Sequence, residues 1–287
     1  MFRSFPICVA MAMMCLFVAC EAQEIRVPAS ATAGEKTSIS TTGNGKATFY
    51  LIGPGVSSKR EVSLGAEILL QAQDLRNAGE YIAVLCSGEC HNASFFVSAG
   101  KPHSLTFLVH PSRVPVAQND AVSGVALPFD QFRNLVTTPE TINFQLTAGN
   151  ASLLSRSVRT QDGISWFRTA SGNSAGPLQV VASLDDVSTR RAVQQVASDP
   201  CDLRIKGERT ATGILVETEP VRDCAGNPVP DGTIVTFTAT VGDEKSTVDA
   251  PIKQDVARAK IVGSGPAVIS AASGVVMGNE LRVGVRP

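Results

Sequence analysis

The chain has little charge, few aromatic rings and no catalytic signature. Charged residues occupy 18% of its 287 positions, below the roughly 25% of an average domain. Lys+Arg 25 against Asp+Glu 26 leave a formal net charge of -1, so no global field recruits nucleic acid or an anionic membrane surface. Arg190-Arg191 is the only arginine doublet, too small for a nucleic-acid footprint. Aromatics are 5%, with a single tryptophan, which is thin for a carbohydrate platform built on several exposed rings. No nucleophile elbow, phosphate loop or HExxH occurs, and no motif marks a histidine partner for any serine, so the reading is non-enzymatic. The apolar run from Phe5 to Ala19 falls short of the about 20 residues a stable membrane span needs.

That run, preceded by Arg3, is expected to be an export signal covering residues 1–22. Two cuts stay open. Leu16-Phe17-Val18-Ala19-Cys20 resembles the lipobox of bacterial lipoproteins, whose cysteine is lipidated and becomes the mature first residue; Phe17 stands where leucine is usual. An ordinary signal peptide is instead cut after Ala22 and discards Cys20. Acylation of Cys20 implies a protein tethered by lipid alone, without a span. The expected location is the outer membrane as a lipoprotein, the cell surface or the periplasm.

Of seven cysteines, Cys8, Cys15 and Cys20 belong to the signal, leaving Cys86, Cys90, Cys201 and Cys224. Export implies oxidising conditions. Among the three connectivities, Cys86–Cys90 with Cys201–Cys224 is the economical one, because the two pairs fall in different repeats. Cys86-Ser-Gly-Glu-Cys90-His91 also tests as a covalent haem site, with His91 as axial ligand. Its spacer is one residue longer than Cys-x-x-Cys-His and lies on an expected hairpin, so a disulfide beside a solvated His91 is preferred and no cofactor is expected. Zinc on the same residues needs reduced thiols. His103 and His110 are an odd number of positions apart and point to opposite faces of a regular strand. Asp185-Asp186 and Asp243-Glu244 read as solvated turns. No metal site is expected.

Gly, Thr, Ser and Val are plentiful, a composition of short strands and many turns. The stretch from Val221 to Thr240 is echoed upstream: Asp130, Asn134, Val136, Ile142, Phe144 and Gly149 stand where Asp223, Asn227, Val229, Val235, Phe237 and Gly242 stand one copy later. Each copy is a polar turn followed by apolar residues alternating with Thr, Asn or Gln. A second echo relates Gly176–Ser183 to Gly265–Ser273. Before Gly100, seven strands are expected, roughly Glu24–Pro28, Lys36–Thr41, Lys46–Ile52, Lys59–Leu64, Glu67–Gln73, Gly79–Cys86 and Cys90–Ser98. Asp74-Leu75-Arg76-Asn77-Ala78-Gly79-Glu80-Tyr81 resembles a tyrosine corner, whose hydroxyl bonds back to preceding backbone. Trp166, in Ile164-Ser-Trp-Phe, is expected in the core.

Asp223-x3-Asn227-Pro-Val-Pro-x-Gly-x-x-Val235-x-Phe237-x-Ala239 resembles the bacterial immunoglobulin-like domains found in tandem in invasin- and intimin-type surface proteins. The second repeat departs from that pattern at Arg133 and Leu135, which replace a glycine and a proline. The first resembles only generic immunoglobulin-like domains. The fold expected is all-β: three tandem immunoglobulin-like sandwiches at 23–99, 100–197 and 198–287, after the signal. The resemblance implies a non-enzymatic exported scaffold or adhesion module that contacts other envelope proteins or a host or matrix surface, with binding at loops or free strand edges. Two alternatives stay open. One is a subunit of an envelope assembly (pilus, secretion or electron transfer) clamping a larger partner; the other is a carbohydrate-binding module, which requires Trp166 exposed beside other rings.

Overall fold

The computed structural model describes residues 24–284; the expected signal segment and Cys20 lie outside them. The chain divides into two compact units, Met1–Gly100 and Lys101–Pro287. The first holds β1 (Ile25–Arg26), β2 (Ala31–Thr32), β3 (Thr37–Thr41), β4 (Lys46–Gly53), β5 (Val56–Ser63), β6 (Ile68–Leu70), β7 (Gly79–Ser87) and β8 (Glu89–Ser98). They form a three-stranded sheet, β1-β3-β6, and a five-stranded sheet, β2-β8-β7-β4-β5. All pairings are antiparallel except β2 with β8. Alternation sends Phe49 and Leu51 of β4, and Tyr81, Ala83 and Leu85 of β7, inward. The expected strand over Glu67–Gln73 is shorter: β6 ends at Leu70, and a 3-10 turn at Ala72–Leu75 follows, where the Asp74 carboxylate accepts the Gln71 N–H at 2.9 Å.

The tyrosine corner is formed. Tyr81 is buried, its hydroxyl donates to the Asn77 carbonyl at 3.0 Å, and burial pushes its pKa up. A Cβ on Gly53 would lie 2.4 Å from the Tyr81 ring, so the neighbouring strand needs glycine there.

In the second unit β9 (Ser104–His110), β10 (Arg113–Pro115), β11 (Val122–Phe129), β12 (Thr141–Ala148), β13 (Ala151–Arg159), β14 (Ser165–Thr169), β15 (Gly176–Leu184) and β16 (Val187–Val196) repeat the same plan. Their sheets are β9-β11-β14 and β10-β16-β15-β12-β13, and β10 runs parallel to β16. Phe107, Phe144 and Phe167 meet in this core. There follow β17 (Pro200–Asp202), β18 (Ile205–Thr210), β19 (Gly213–Thr218), β20 (Arg222–Asp223), β21 (Ile234–Val241), β22 (Glu244–Pro251), β23 (Arg258–Ile261), β24 (Ala267–Ser273), β25 (Val276–Met277) and β26 (Leu281–Val283). Sheets β18-β19-β23 and β22-β21-β24-β25, with β26 also on β24, enclose a separate core around Phe237, Ile214 and Ile269. The echoes in sequence are echoes in structure: Phe144 and Phe237 are both fully buried, and Gly149 and Gly242 turn the chain at φ of 57° and 63°.

Trp166 corrects the sequence reading. It is 63% exposed, and Phe167 fills the core instead. Side chains alternate along a strand, so a register shifted by one residue exchanges the faces. The decisive partner is Gly124, directly opposite Phe167, where an added Cβ would come within 2.4 Å of the ring. Phe167→Ala is therefore expected to cost about 3–5 kcal/mol in urea unfolding, while Trp166→Ala stays within about 0.5 kcal/mol; the opposite ranking would restore an inward tryptophan.

Candidate functional site

The two Asp-x3-Asn stretches fold as one device. Asp130 and Asp223 are buried, the first directly after β11 and the second at the end of β20. Asp130 Oδ1 accepts the N–H groups of Phe132 and Asn134 at 2.9 and 2.8 Å; Asp223 Oδ1 accepts those of Ala225 and Asn227 at 2.9 and 2.8 Å. In both copies the asparagine amide donates back to the carboxylate. Position four of the turn is left-handed in each, φ 68° at Arg133 and 84° at Gly226. Arg133 thus fills a position that suits glycine without changing the bonding.

In the later copy this turn also holds the junction between the two cores of the second unit. Asn227 Nδ2 donates to the Asn173 carbonyl at 2.8 Å and Asn227 Oδ1 accepts the Ala175 N–H at 3.0 Å. Asp223 Oδ2 accepts the Ser198 N–H at 3.0 Å, and Ser198 Oγ donates to the Val116 carbonyl at 2.7 Å. Burial pushes the Asp223 carboxyl up. The N–H groups of Ser198, Asn227 and Ala225, with the Asn227 amide, outweigh it and hold the pKa below the ordinary value.

The four cysteines are paired as Cys86–Cys90 and Cys201–Cys224. The first pair joins directly opposite residues at the tip of the β7–β8 hairpin, so both sulfurs beside His91 are bonded to each other and neither is a free thiol for a thioether. The second spans 23 positions, a loop for which cross-linking stabilises by about 3 kcal/mol, and fastens β17 to the Asp223 turn. His103 and His110 are exposed, as are Asp185, Asp186, Asp243 and Glu244. Among the described residues no group of three or more His, Cys, Asp or Glu is arranged to hold a metal. An open depression of about 450 Å³ is bordered by Leu153, Asn173, Pro177 and Gln195, and none of its lining side chains is ionisable. No helix among the described residues is long and apolar enough to cross a membrane.

The edges and outer faces of the sheets differ in what they present to solvent. The outer edges β5 and β13 each aim an arginine to the core side: Arg60 opposes Phe49 and Arg156 opposes Phe144. An inward charge on an edge opposes strand addition. Edge β22 has Val248 opposite Phe237 and carries charge on that side, Glu244, only at its end, opposite Val241. Two sheet faces carry exposed apolar side chains: Ile52, Ile82 and Phe96 in the first unit, and Leu108 and Trp166 in the second. Sequence reasoning looked to loops and edges and did not find these faces. The junction partners Asn173, Ala175 and Ser198 were also missed, since nothing in a single copy marks them.

Two facing antiparallel sheets in this strand order, with a tyrosine corner, define immunoglobulin-like β-sandwiches in tandem. The structure is similar to that of the Escherichia coli adhesin FdeC, with a TM-score of 0.61 and 14% identity over 92% of this chain and 97% of that one. It is also similar to Yersinia pseudotuberculosis InvD, with a TM-score of 0.51 and 10% identity over 91% of this chain and 95% of that one. Invasin, a bacterial integrin-binding protein, gives a TM-score of 0.52 and 12% identity over 89% of this chain and 57% of its own. At these identities the likeness defines the fold. No family model and no curated protein sequence matches the chain.

Two outcomes test the junction. Because the folded pKa of Asp223 is depressed, its contribution is complete above the ordinary 3.8 and is lost as pH falls through the folded value. The stability gap between wild type and Asp223→Asn, followed by urea unfolding, should be flat near neutrality and close below pH 3.8. Asn227→Ala should lower stability by about 1–2 kcal/mol and loosen the orientation of the two sandwiches of the second unit, read from residual dipolar couplings.

Proposed function

We propose that the chain is a non-enzymatic, exported scaffold and adhesion module of a bacterial cell envelope. On this reading it has three immunoglobulin-like domains at 23–99, 100–197 and 198–287, behind a signal peptide cut before Cys20 or after Ala22. The observation that carries it is the hydrogen-bonded junction at Asn227 and Ser198, which ties the two cores of the second unit to one another as a spacer requires. Two disulfides support an oxidising compartment outside the cytoplasm. The fold shared with an adhesin and an integrin-binding protein supports contact with proteins of another surface. Lipidation of Cys20 would give such a spacer its anchor.

A carbohydrate-binding reading gains one observation, the exposure of Trp166. It needs neighbouring rings as well, and the cross-strand neighbours of Trp166 are Val125 and, beyond it, Leu108.

Beads coated with the exported chain should be retained on cultured animal cells or matrix proteins above albumin-coated controls. Recovery instead of a stoichiometric envelope partner from mild-detergent extracts, with no bead retention, would replace adhesion by the assembly-subunit reading. Mass measurement of the mature N-terminus in the same extract separates an acylated Cys20 from a cut after Ala22.

A further inference from the structure

Strand pairing lays out the outward face of sheet β9-β11-β14 in rows. One row is Leu108, Val125 and Trp166; the next is His110, Ser123 and Arg168; on the other side stand Thr106 and Leu127. Leu108 and Trp166 are each 63% exposed, and Ile164, two residues before Trp166, is exposed as well. Leu108, Ile164 and Trp166 exposed together, with Val125 and Leu127 half-buried among them, exceed what scattered surface residues present, and apolar patches rimmed by polar groups mark interaction sites. Tryptophan and arginine side by side are the residue types that dominate protein interfaces.

Charge decides what fits. The cation-capable side chains on these rows are Arg168 and His110, and no carboxylate stands on any row. Arg168 is held in place by its Nε, which donates to the Asp120 carbonyl at 2.9 Å. The apolar face of the first unit differs, since Lys59 and Glu80 lie on it beside Tyr50 and Phe96, and mixed signs select no partner. A second copy docking through the Trp166 face would bring no carboxylate from these rows to Arg168. A sugar would find one ring and four aliphatic side chains, Leu108, Val125, Leu127 and Ile164, which offer little to hydroxyl groups.

We propose that this face is the docking surface for a protein partner whose contact region has an apolar centre flanked by aspartate or glutamate, the carboxylates meeting Arg168 and His110. The inference rests on the adhesion reading and names the surface that performs it.

Trp166 is the only tryptophan of the chain, so intrinsic fluorescence reports this face alone. A phage-displayed twelve-residue random peptide library is panned on the full exported chain, and the selected peptides are titrated against it. Acidic peptides with apolar centres should be enriched and should shift Trp166 emission. Arg168→Glu, an exposed change that keeps the reporter, should weaken them on the order of tenfold. Selected peptides without acidic enrichment, or unaffected by Arg168→Glu, would overturn the proposal. So would a neutral glycan that shifts the emission, or sedimentation showing a dimer that Trp166→Ser dissolves. The bead assay with Trp166→Ser separates the two levels: retention equal to wild type sinks this surface and leaves adhesion standing, whereas no retention of wild type sinks the adhesion reading itself.

Discussion

A buried carboxylate that accepts several backbone N–H groups organises the chain twice. Asp130 and Asp223 each close a turn in the connection that leads to a core strand, β12 or β21. An ionised acid excluded from water is costly unless its lone pairs are met, and here backbone N–H groups meet them. The turn therefore tolerates only side chains that leave those bonds intact, which explains why Arg133 can replace a glycine while Asp and Asn recur. Once the turn is set, period-two alternation delivers Ile142, Phe144 and Leu146 to one core, and Val235, Phe237 and Ala239 to the other. The same aspartate in the later copy also accepts the Ser198 N–H, so formation of the local turn and of the junction are coupled through one group.

The sheets divide their labour accordingly. Two of the five-stranded sheets end on edges, β5 and β13, where Arg60 and Arg156 lie over the core side of the strand. The Arg60 guanidinium sits 5.4 Å from the Phe49 ring centroid, so the cation both covers an aromatic and discourages pairing with a foreign strand. Three-stranded sheets are narrower, and their outward faces are less constrained by the core. In the second unit that freedom is where Leu108, Val125 and Trp166 gather.

Much of this was legible in the sequence because it is local or repeated. The Asp, Asn, Phe and Gly echoes announce a recurring turn and strand, Tyr81 announces its corner through the preceding Asn77 to Gly79, and two cysteine pairs within separate copies limit their own connectivity. What escaped needed long-range information. Trp166 and Phe167 are adjacent large apolar residues, and no period-two pattern over five residues says which is inside; the answer lies in Gly124, more than forty positions away on the paired strand. Asn173 and Ala175 contribute backbone groups to the junction, and backbone atoms leave no mark in residue identity. A glycine in the middle of a strand is the one signal that pointed to an aromatic opposite.

The third sandwich shows how the plan survives losing one of its ladders. In the first two, a short strand between the opening pair, β2 or β10, runs parallel to the last strand and ties the two ends of the sandwich together. In the third, β18 passes straight into β19 through a tight hairpin, leaving no segment to make that parallel pairing. The last strand is split into β25 and β26, and Asn279 between them bonds both the N–H and the carbonyl of Ile205 at 2.7 and 3.3 Å. The opening strand β17 pairs with β20 instead, under the Cys201–Cys224 bond. A ladder of three residues contributes about 0.5–1.5 kcal/mol per hydrogen bond, and a cross-link of this loop length contributes a similar total. Covalent and side-chain ties thus stand where backbone pairing stood, and the disulfide among them ends in the Asp223 turn that holds the junction.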